Sequence, residues 1–180
     1  MRVAIGSDHA GYELKAALCR MLDELGIEYR DFGTDSTEPV DYPDFIAPVA
    51  RAVSRGEYAR GIVLGGSGTG EAIVANKIRG IRCVQAANPV IARLGRQHND
   101  ANVIAIGARV TNVEVAEACV REFLDAEFEG GRHVRRHQHY SAAASCGLQH
   151  RLEPMRPAHP YASMRWIWAP RATSLASIFS

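Results

Sequence analysis

Gly61-Ile62-Val63-Leu64-Gly65-Gly66-Ser67-Gly68-Thr69-Gly70-Glu71-Ala72-Ile73-Val74-Ala75-Asn76-Lys77 is the stretch whose reading decides the fold. It reads as a buried strand from Ile62 to Leu64, a glycine-rich turn, and a helix that opens near Thr69. The turn glycines let the backbone bend sharply and leave room for a ligand beside it. Free N–H groups at a helix start favour negative charge there. Glu71 adds a carboxylate in the first helical turn. An oxyanion site beside a carboxylate is what proton abstraction next to a carbonyl requires. The competing reading is a tight strand-to-helix turn in which Glu71 only complements the helix dipole.

The flanking chain alternates strands and helices. Arg2 to Gly6 is a first strand ending in the polar run Ser7-Asp8-His9-Ala10-Gly11. A helix follows, with Leu14, Leu18, Met21, Leu22 and Leu25 on one face and Gly26 closing it. Ile27 to Phe32 is a second strand. Pro43 suits the first position of a helix running to about Ser54, with Pro48 inside it predicting a kink or a late start. Beyond the central unit, Arg82 to Ala86 is a fourth strand, and Pro89 to Gln97 a helix with Val90, Ile91 and Leu94 inward. Asn102 to Gly107 is a fifth strand. Thr111 is expected to cap a last helix to about Phe128, its apolar side formed by Val113, Val115, Ala116, Cys119, Val120 and Phe123.

This rhythm predicts an α/β protein, a three-layer α/β/α sandwich around a Rossmann-like five-stranded parallel sheet with right-handed crossovers. Ligands in such sheets bind outside the carboxyl ends of the strands. Strand one delivers Asp8 and His9 there, strand three the glycine turn, and strand five Gly107 and Arg109. Of the other polar residues, His98-Asn99-Asp100 could equally be a polar helix end, and Arg109, Arg132, Arg135 and Arg136 solvated surface charge. Arg132 and Arg136 are one helical turn apart, the spacing of a two-pronged phosphate grip.

The chain has 180 residues, 47% hydrophobic and 23% charged, with a formal net charge of +1. That composition and length fit one globular domain with a full core and leave room for an appendage. The near-neutral balance argues against a nucleic-acid or membrane-surface partner. Neither a signal pattern nor a membrane-spanning run is expected; Cys19, Cys83, Cys119 and Cys146 are scattered, and three of them fall in expected helix or strand, which suits buried free thiols in a reducing cytoplasm.

Cofactor signatures are missing from the pattern. From Gly66 the glycines are spaced G-x-G-x-G, on the third strand, and no Gly-Lys-Ser/Thr ending follows. Ser67 does not sit in a G-x-S-x-G elbow, and the histidines lack metal-ligand spacing. Acid/base chemistry on a small anionic substrate, with no cofactor and no metal, is the expectation that remains.

Gly6-Ser7-Asp8-His9-Ala10-Gly11, Asp41-Tyr42-Pro43, Gly65 to Lys77, Arg96-Gln97-His98-Asn99-Asp100-Ala101-Asn102 and Glu129-Gly130-Gly131-Arg132-His133 together resemble the type B ribose-5-phosphate isomerases. The resemblance runs in order from Met1 to about His137. It implies interconversion of ribose 5-phosphate and ribulose 5-phosphate through a cis-enediolate. In one branch of that family a cysteine at the position of Gly65 is the base; this chain resembles the branch that uses a glutamate at the position of Glu71. The resemblance further implies His98 as the ring-opening acid, Asp8 on sugar hydroxyls with a possible part in ring opening, and Asn99 on another hydroxyl. Ser67 with Gly66, Gly68, Thr69 and Gly70 would hold the enediolate oxygens, and His9, Arg109, Arg132 and Arg136 the phosphate. It implies at least a homodimer with shared sites, or a tetramer, with the His98-Asn99 segment and one arginine reaching across. The rival readings are an isomerase of a six-carbon aldose phosphate (allose or galactose 6-phosphate) and a non-catalytic sugar-phosphate-binding module.

On this reading residues 1–137 are the catalytic domain and residues 138–180 an atypical extension. From Gln138 onward the chain has no Lys or Asp, gathers Pro154, Pro157, Pro160 and Pro170, and holds Trp166 and Trp168. Ser141 to Ser145 is expected to prolong a helix, and the rest to be poorly structured, docked in part through Met164, Trp166, Ile167 and Trp168.

Overall fold

The computed structural model describes residues 1–146, so the tryptophans and prolines of the carboxyl-terminal extension lie outside the described residues. Five strands and six α-helices alternate among those residues. The strands are β1 (Arg2–Ser7), β2 (Glu28–Asp31), β3 (Arg60–Gly65), β4 (Cys83–Gln85) and β5 (Val103–Gly107). The helices are α1 (Tyr12–Glu24), α2 (Tyr42–Ser54), α3 (Thr69–Asn76), α4 (Pro89–Asn99), α5 (Val113–Asp125) and α6 (Arg132–Cys146). All pairings are parallel, in the order β2-β1-β3-β5-β4. The three-layer sandwich expected from the sequence is the observed fold.

The strand pleat divides the core in two. Val3, Ile5, Ile62, Leu64, Ile104 and Ile106 face one way and pack under α1, α4 and α5, around Leu18, Met21, Leu22 and Phe123. Ala4, Val63, Val103 and Ala105 face the other way, under α2 and α3, with Ile46, Val49, Val53 and Ala75. Burial on both faces explains why β1, β3 and β5 read as unbroken apolar runs. From β1 the chain turns through α1 toward β2, and from β3 through α3 toward β4, on the other side of the sheet. The loops after β1 and β3 therefore diverge and open a crevice at their carboxyl ends.

Several local expectations are corrected. Val90, Ile91 and Leu94 do not point inward: they are 50%, 41% and 38% exposed, while Ala92, Gly95 and Arg96 face the core. A Cβ at Gly95 would lie 2.8 Å from Val84, so small residues let α4 ride close on β4. Arg96 tolerates burial because Nη1 donates to Asp100 Oδ1 (2.8 Å) and the Ala101 carbonyl (2.6 Å). Asn112, not Thr111, caps α5, its Oδ1 accepting from the Val115 N–H at 2.9 Å. Val113 is exposed, and α5 ends at Asp125, where Ala126 turns extended. Pro48 does not delay α2, which is assigned continuously from Tyr42 with Asp41 at its N-cap.

Among the described residues no helix is long and apolar enough to cross a membrane. Cys19, Cys83 and Cys119 are free thiols. Burial raises all three, Cys119 to about 11, which makes them poor nucleophiles at neutral pH.

Candidate active site

The crevice is built around the turn between β3 and α3. Gly68 sits at the helix N-cap with φ 78°, a left-handed conformation that costs a glycine nothing. Neighbouring strands hold the turn through their backbones. Asp8 N–H donates to the Leu64 carbonyl (3.2 Å), Ala108 N–H to that of Gly65 (2.8 Å) and Arg109 N–H to that of Gly66 (2.9 Å). The turn is thus fixed before any ligand arrives, which an oxyanion site needs.

Glu71, in the first turn of α3, is only 4% exposed. Its carboxylate folds back over the turn, so that a Cβ at residue 65 would overlap Oε1 and Cδ of Glu71. A glycine is therefore obligatory at position 65 while a glutamate at 71 takes this pose. Burial raises the Glu71 pKa, the Asp8 carboxylate raises it further, and the N–H groups of Glu71 and Gly68 partly offset both. Glu71 Oε2 is buried with no hydrogen-bond partner among the described residues. A buried carboxylate oxygen left without a donor is costly structurally and available chemically.

The other expected residues of this edge surround that carboxylate. Asp8 is buried, and its Oδ1 accepts from Gly11 N–H at 3.0 Å. His9 Nδ1 accepts from Val40 N–H at 3.1 Å, which places its proton on Nε2 as a donor. Ser67 Oγ accepts from Thr69 N–H at 3.2 Å, which leaves its own O–H to donate outward. The Arg109 side chain lies over Gly66, within 3.5 Å of where a Cβ would stand.

Two further residues belong here that sequence reasoning did not single out. The Tyr42 ring, from the first residue of α2, lies against Gly70, its Cζ 3.0 Å from where a Cβ would stand. Gln85, at the end of β4, donates Nε2 to the Ser67 carbonyl (2.8 Å) and to Thr69 Oγ1 (2.9 Å), tying the turn to the neighbouring strand end. Tyr42 falls within a quoted motif, a signal that could have found it. Gln85 carries no sequence signal beyond its place at a strand's carboxyl end.

His98, Asn99, Arg132 and Arg136 are elsewhere. Helix α4 starts beyond the carboxyl end of β4 and returns to the amino end of β5, so its last turn, carrying His98 and Asn99, lies at the amino edge of the sheet. Helix α5 returns the same way, and the following segment docks there, Glu129 N–H donating to the Gln97 carbonyl at 3.0 Å. An eleven-residue helix separates the two groups, roughly 16 Å. Within one chain Glu71 and His98 do not meet.

At the amino edge His98 stacks face to face on His133, centroids 4.3 Å apart and planes 7° apart. Glu129 Oε2 is 3.7 Å from His98 Nε2, and Arg132 Nε donates to His133 Nε2 at 3.4 Å. Burial lowers the His133 pKa, and His98, Arg132 and Arg136 lower it further against the pull of Glu129. Ligand atoms of His98, Glu129 and His133 lie within 4.8 Å of one another, close enough for one metal ion. Parallel rings, however, send their lone pairs side by side rather than to one point, and Arg132 occupies the His133 nitrogen. The trio therefore fits a metal poorly. Arg132 and Arg136 stand one turn apart on α6 and, with Arg135 and His139, line a shallow basic groove.

The chain matches the family described as Ribose/Galactose Isomerase over residues 3–140. It is 47% identical over 135 residues to ribose-5-phosphate isomerase B of Escherichia coli K12, covering 75% of this chain and 91% of that protein. It is 42% identical over 132 residues to a D-erythrulose-4-phosphate isomerase of Pectobacterium atrosepticum, covering 73% of this chain and 87% of the relative. Among solved structures, ribose-5-phosphate isomerase B of Clostridium thermocellum superposes with a TM-score of 0.80 at 46% identity, over 82% of this chain and 99% of the other. The Mycoplasma genitalium enzyme with bound ribulose-5-phosphate gives 0.77 at 33% identity, over 80% and 96%.

Proposed function

The chain belongs to the Ribose/Galactose Isomerase family, and from that premise we infer that it is an aldose-ketose isomerase interconverting ribose 5-phosphate and ribulose 5-phosphate. The observation that carries the mechanism is Glu71: a buried, partner-poor carboxylate lying over a rigid glycine turn. Burial raises its pKa above the ordinary carboxylate value, which strengthens it as a base.

The steps follow from the residues. A donor protonates the furanose ring oxygen while the anomeric hydroxyl gives its proton to solvent, so the bond from C1 to the ring oxygen breaks as the C1 carbonyl of the open aldose forms. Glu71 takes the C2 proton, and the developing charge on O1 and O2 falls on the Ser67 hydroxyl and the N–H groups of the turn. The proton returns to C1 while a second moves from O2 to O1, giving the ketose with every atom retained. His9 and Arg109 supply cationic or donor groups to the phosphate, whose binding energy holds the carbons against Glu71.

The ring-opening donor in this account is His98, and it comes from a second copy of the chain. The separation of the two residue groups across the sheet supports this. So do the apolar side chains exposed near each: Ile73, Val110 and Val113 by the crevice, and Leu94 and Val134 by His98. A two-fold dimer pairing one edge with the other covers both and completes two sites at once. Arg132 and Arg136 then arrive with His98, two arginines rather than the one implied by resemblance. A cytoplasmic location belongs to the same reading, supported by the free thiols.

The direct test is conversion of ribose 5-phosphate to the ketose, compared with four- and six-carbon aldose phosphates. The account expects the highest kcat/KM on the five-carbon ester; a preference for a six-carbon substrate would move the assignment within the family. The crowding at residue 65 gives a second expectation. Gly65→Ala pushes the Glu71 carboxylate off its place and lowers kcat by about a hundredfold. Unchanged turnover, with the substitution's fold verified by circular dichroism, would place the base elsewhere.

A further inference from the structure

The amino-edge cluster contains two side chains that the proposed reaction does not use. Glu129 sits at ion-pair distance from His98 Nε2 (3.7 Å), and His133 is buried beneath the His98 ring in a parallel stack. Their placement is built in. Gly130 and Gly131 are consecutive left-handed residues, with φ 66° and 55°, and they fold the chain so sharply that Glu129 and His133 both reach His98. The turn is fastened by Glu129 N–H to the Gln97 carbonyl and by His133 N–H to the Gly130 carbonyl, each 3.0 Å.

We propose that Glu129 and His133 are positioning residues for ring opening, which set the orientation of His98 before it meets a neighbouring subunit's sugar. This rests on the reading of His98 as the ring-opening acid. The carboxylate stands beside one imidazole nitrogen and leaves the other nitrogen for the furanose oxygen, the division of labour seen where a carboxylate orients a catalytic histidine. The stacked ring fixes the plane of His98. Burial, the His98 ring, Arg132 and Arg136 all lower the His133 pKa and so disfavour a second charge against the His98 ring.

Chemistry supplies a readout that a merely structural role would not give. Ribose 5-phosphate is a closed furanose and must be opened. Ribulose 5-phosphate has its O5 esterified and cannot form a five-membered ring, so loss of its C1 proton to the base needs no ring opening. The experiment measures two rates on the full chain: conversion of ribose 5-phosphate, and wash-in of solvent deuterium at C1 of ribulose 5-phosphate by proton NMR. The variants are Glu129→Gln, His133→Leu and His133→Phe, with His98→Asn as reference.

The proposal expects conversion to fall about tenfold in Glu129→Gln and His133→Leu, with wash-in unchanged to within about twofold. His133→Phe, which keeps a flat partner under His98, restores most of the loss. Conversion and wash-in falling together, or neither falling, would overturn it. If His98→Asn itself lost wash-in as fully as conversion, the premise about His98 would fail instead. A selective loss in His98→Asn with none in Glu129→Gln would sink the proposal alone.

Discussion

Glu71→Gln is expected to lower kcat on ribose 5-phosphate by at least about a thousandfold while ribose 5-phosphate still binds, as read by calorimetric titration. The amide fills the same space over Gly65 but has no basic oxygen to accept the C2 proton. Phosphate and hydroxyl contacts, made by other residues, are untouched, so the loss falls on kcat and not on affinity. The same substitution is expected to stabilise the fold. The Glu71 pKa is raised in the folded chain relative to its ordinary 4.5, so the folded state holds its proton more tightly than the unfolded one. The associated stability is present below the ordinary value and is lost as pH climbs through the raised one. At neutral pH the wild type therefore bears the cost of a buried charge that glutamine removes. The melting temperature of Glu71→Gln should exceed that of the wild type at pH 7 to 8, and the gap should close as pH falls below 4.5. Near-normal turnover in this variant would remove Glu71 from its role.

Such a trade of stability for reactivity is what an orphaned buried oxygen signals. Glu71 Oε2 lacks a partner among the described residues, while the turn backbone beside it is held by N–H groups following β1 and β5 and by the Gln85 side chain of β4. Rigidity in the turn and exposure of the base to the substrate alone are two sides of one arrangement.

The sheet and the glycine turn were legible because their signals are local. Val3 to Ile5, Ile62 to Leu64 and Val103 to Ile106 are buried on both faces, and such strands announce themselves without knowledge of the rest of the chain. Gly65 to Glu71 was legible for the same reason: the backbone conformation is dictated by the residues that adopt it. Helix α4 was read the wrong way round because periodicity reports which face is apolar, not what that face meets. Val90, Ile91 and Leu94 form a regular apolar stripe, yet the sheet side belongs to Ala92, Gly95 and Arg96, which let α4 lie close. The misreading of Thr111 is of another kind. Thr111 and Asn112 are adjacent and both able to cap, and only the backbone angles decide between them. Gln85 and Tyr42 escaped notice because their roles depend on contacts 16 and 28 residues away in the chain, with the Thr69 hydroxyl and with Gly70. The placement of Glu71 and His98 at opposite edges of the sheet was also out of reach of local pattern. It follows from helix direction in a parallel sheet, which topology alone supplies.

Subunit complementation is the second large effect. Glu71→Gln leaves His98 intact, and His98→Asn leaves Glu71 intact, so on the proposed shared-site dimer each variant alone has two defective sites. In a mixed dimer the intact Glu71 of one chain faces the intact His98 of the other, while the remaining site carries both defects. Within a single chain the two residues stand on opposite edges of the sheet, so no self-contained site is restored by mixing. The measurement is turnover of ribose 5-phosphate by the two variants co-expressed with different affinity tags and purified through both. The shared-site account predicts that two nearly inactive proteins together give about half the wild-type activity per dimer, one working site of two. Activity in the mixed dimer no greater than the mean of the two parent variants would contradict it.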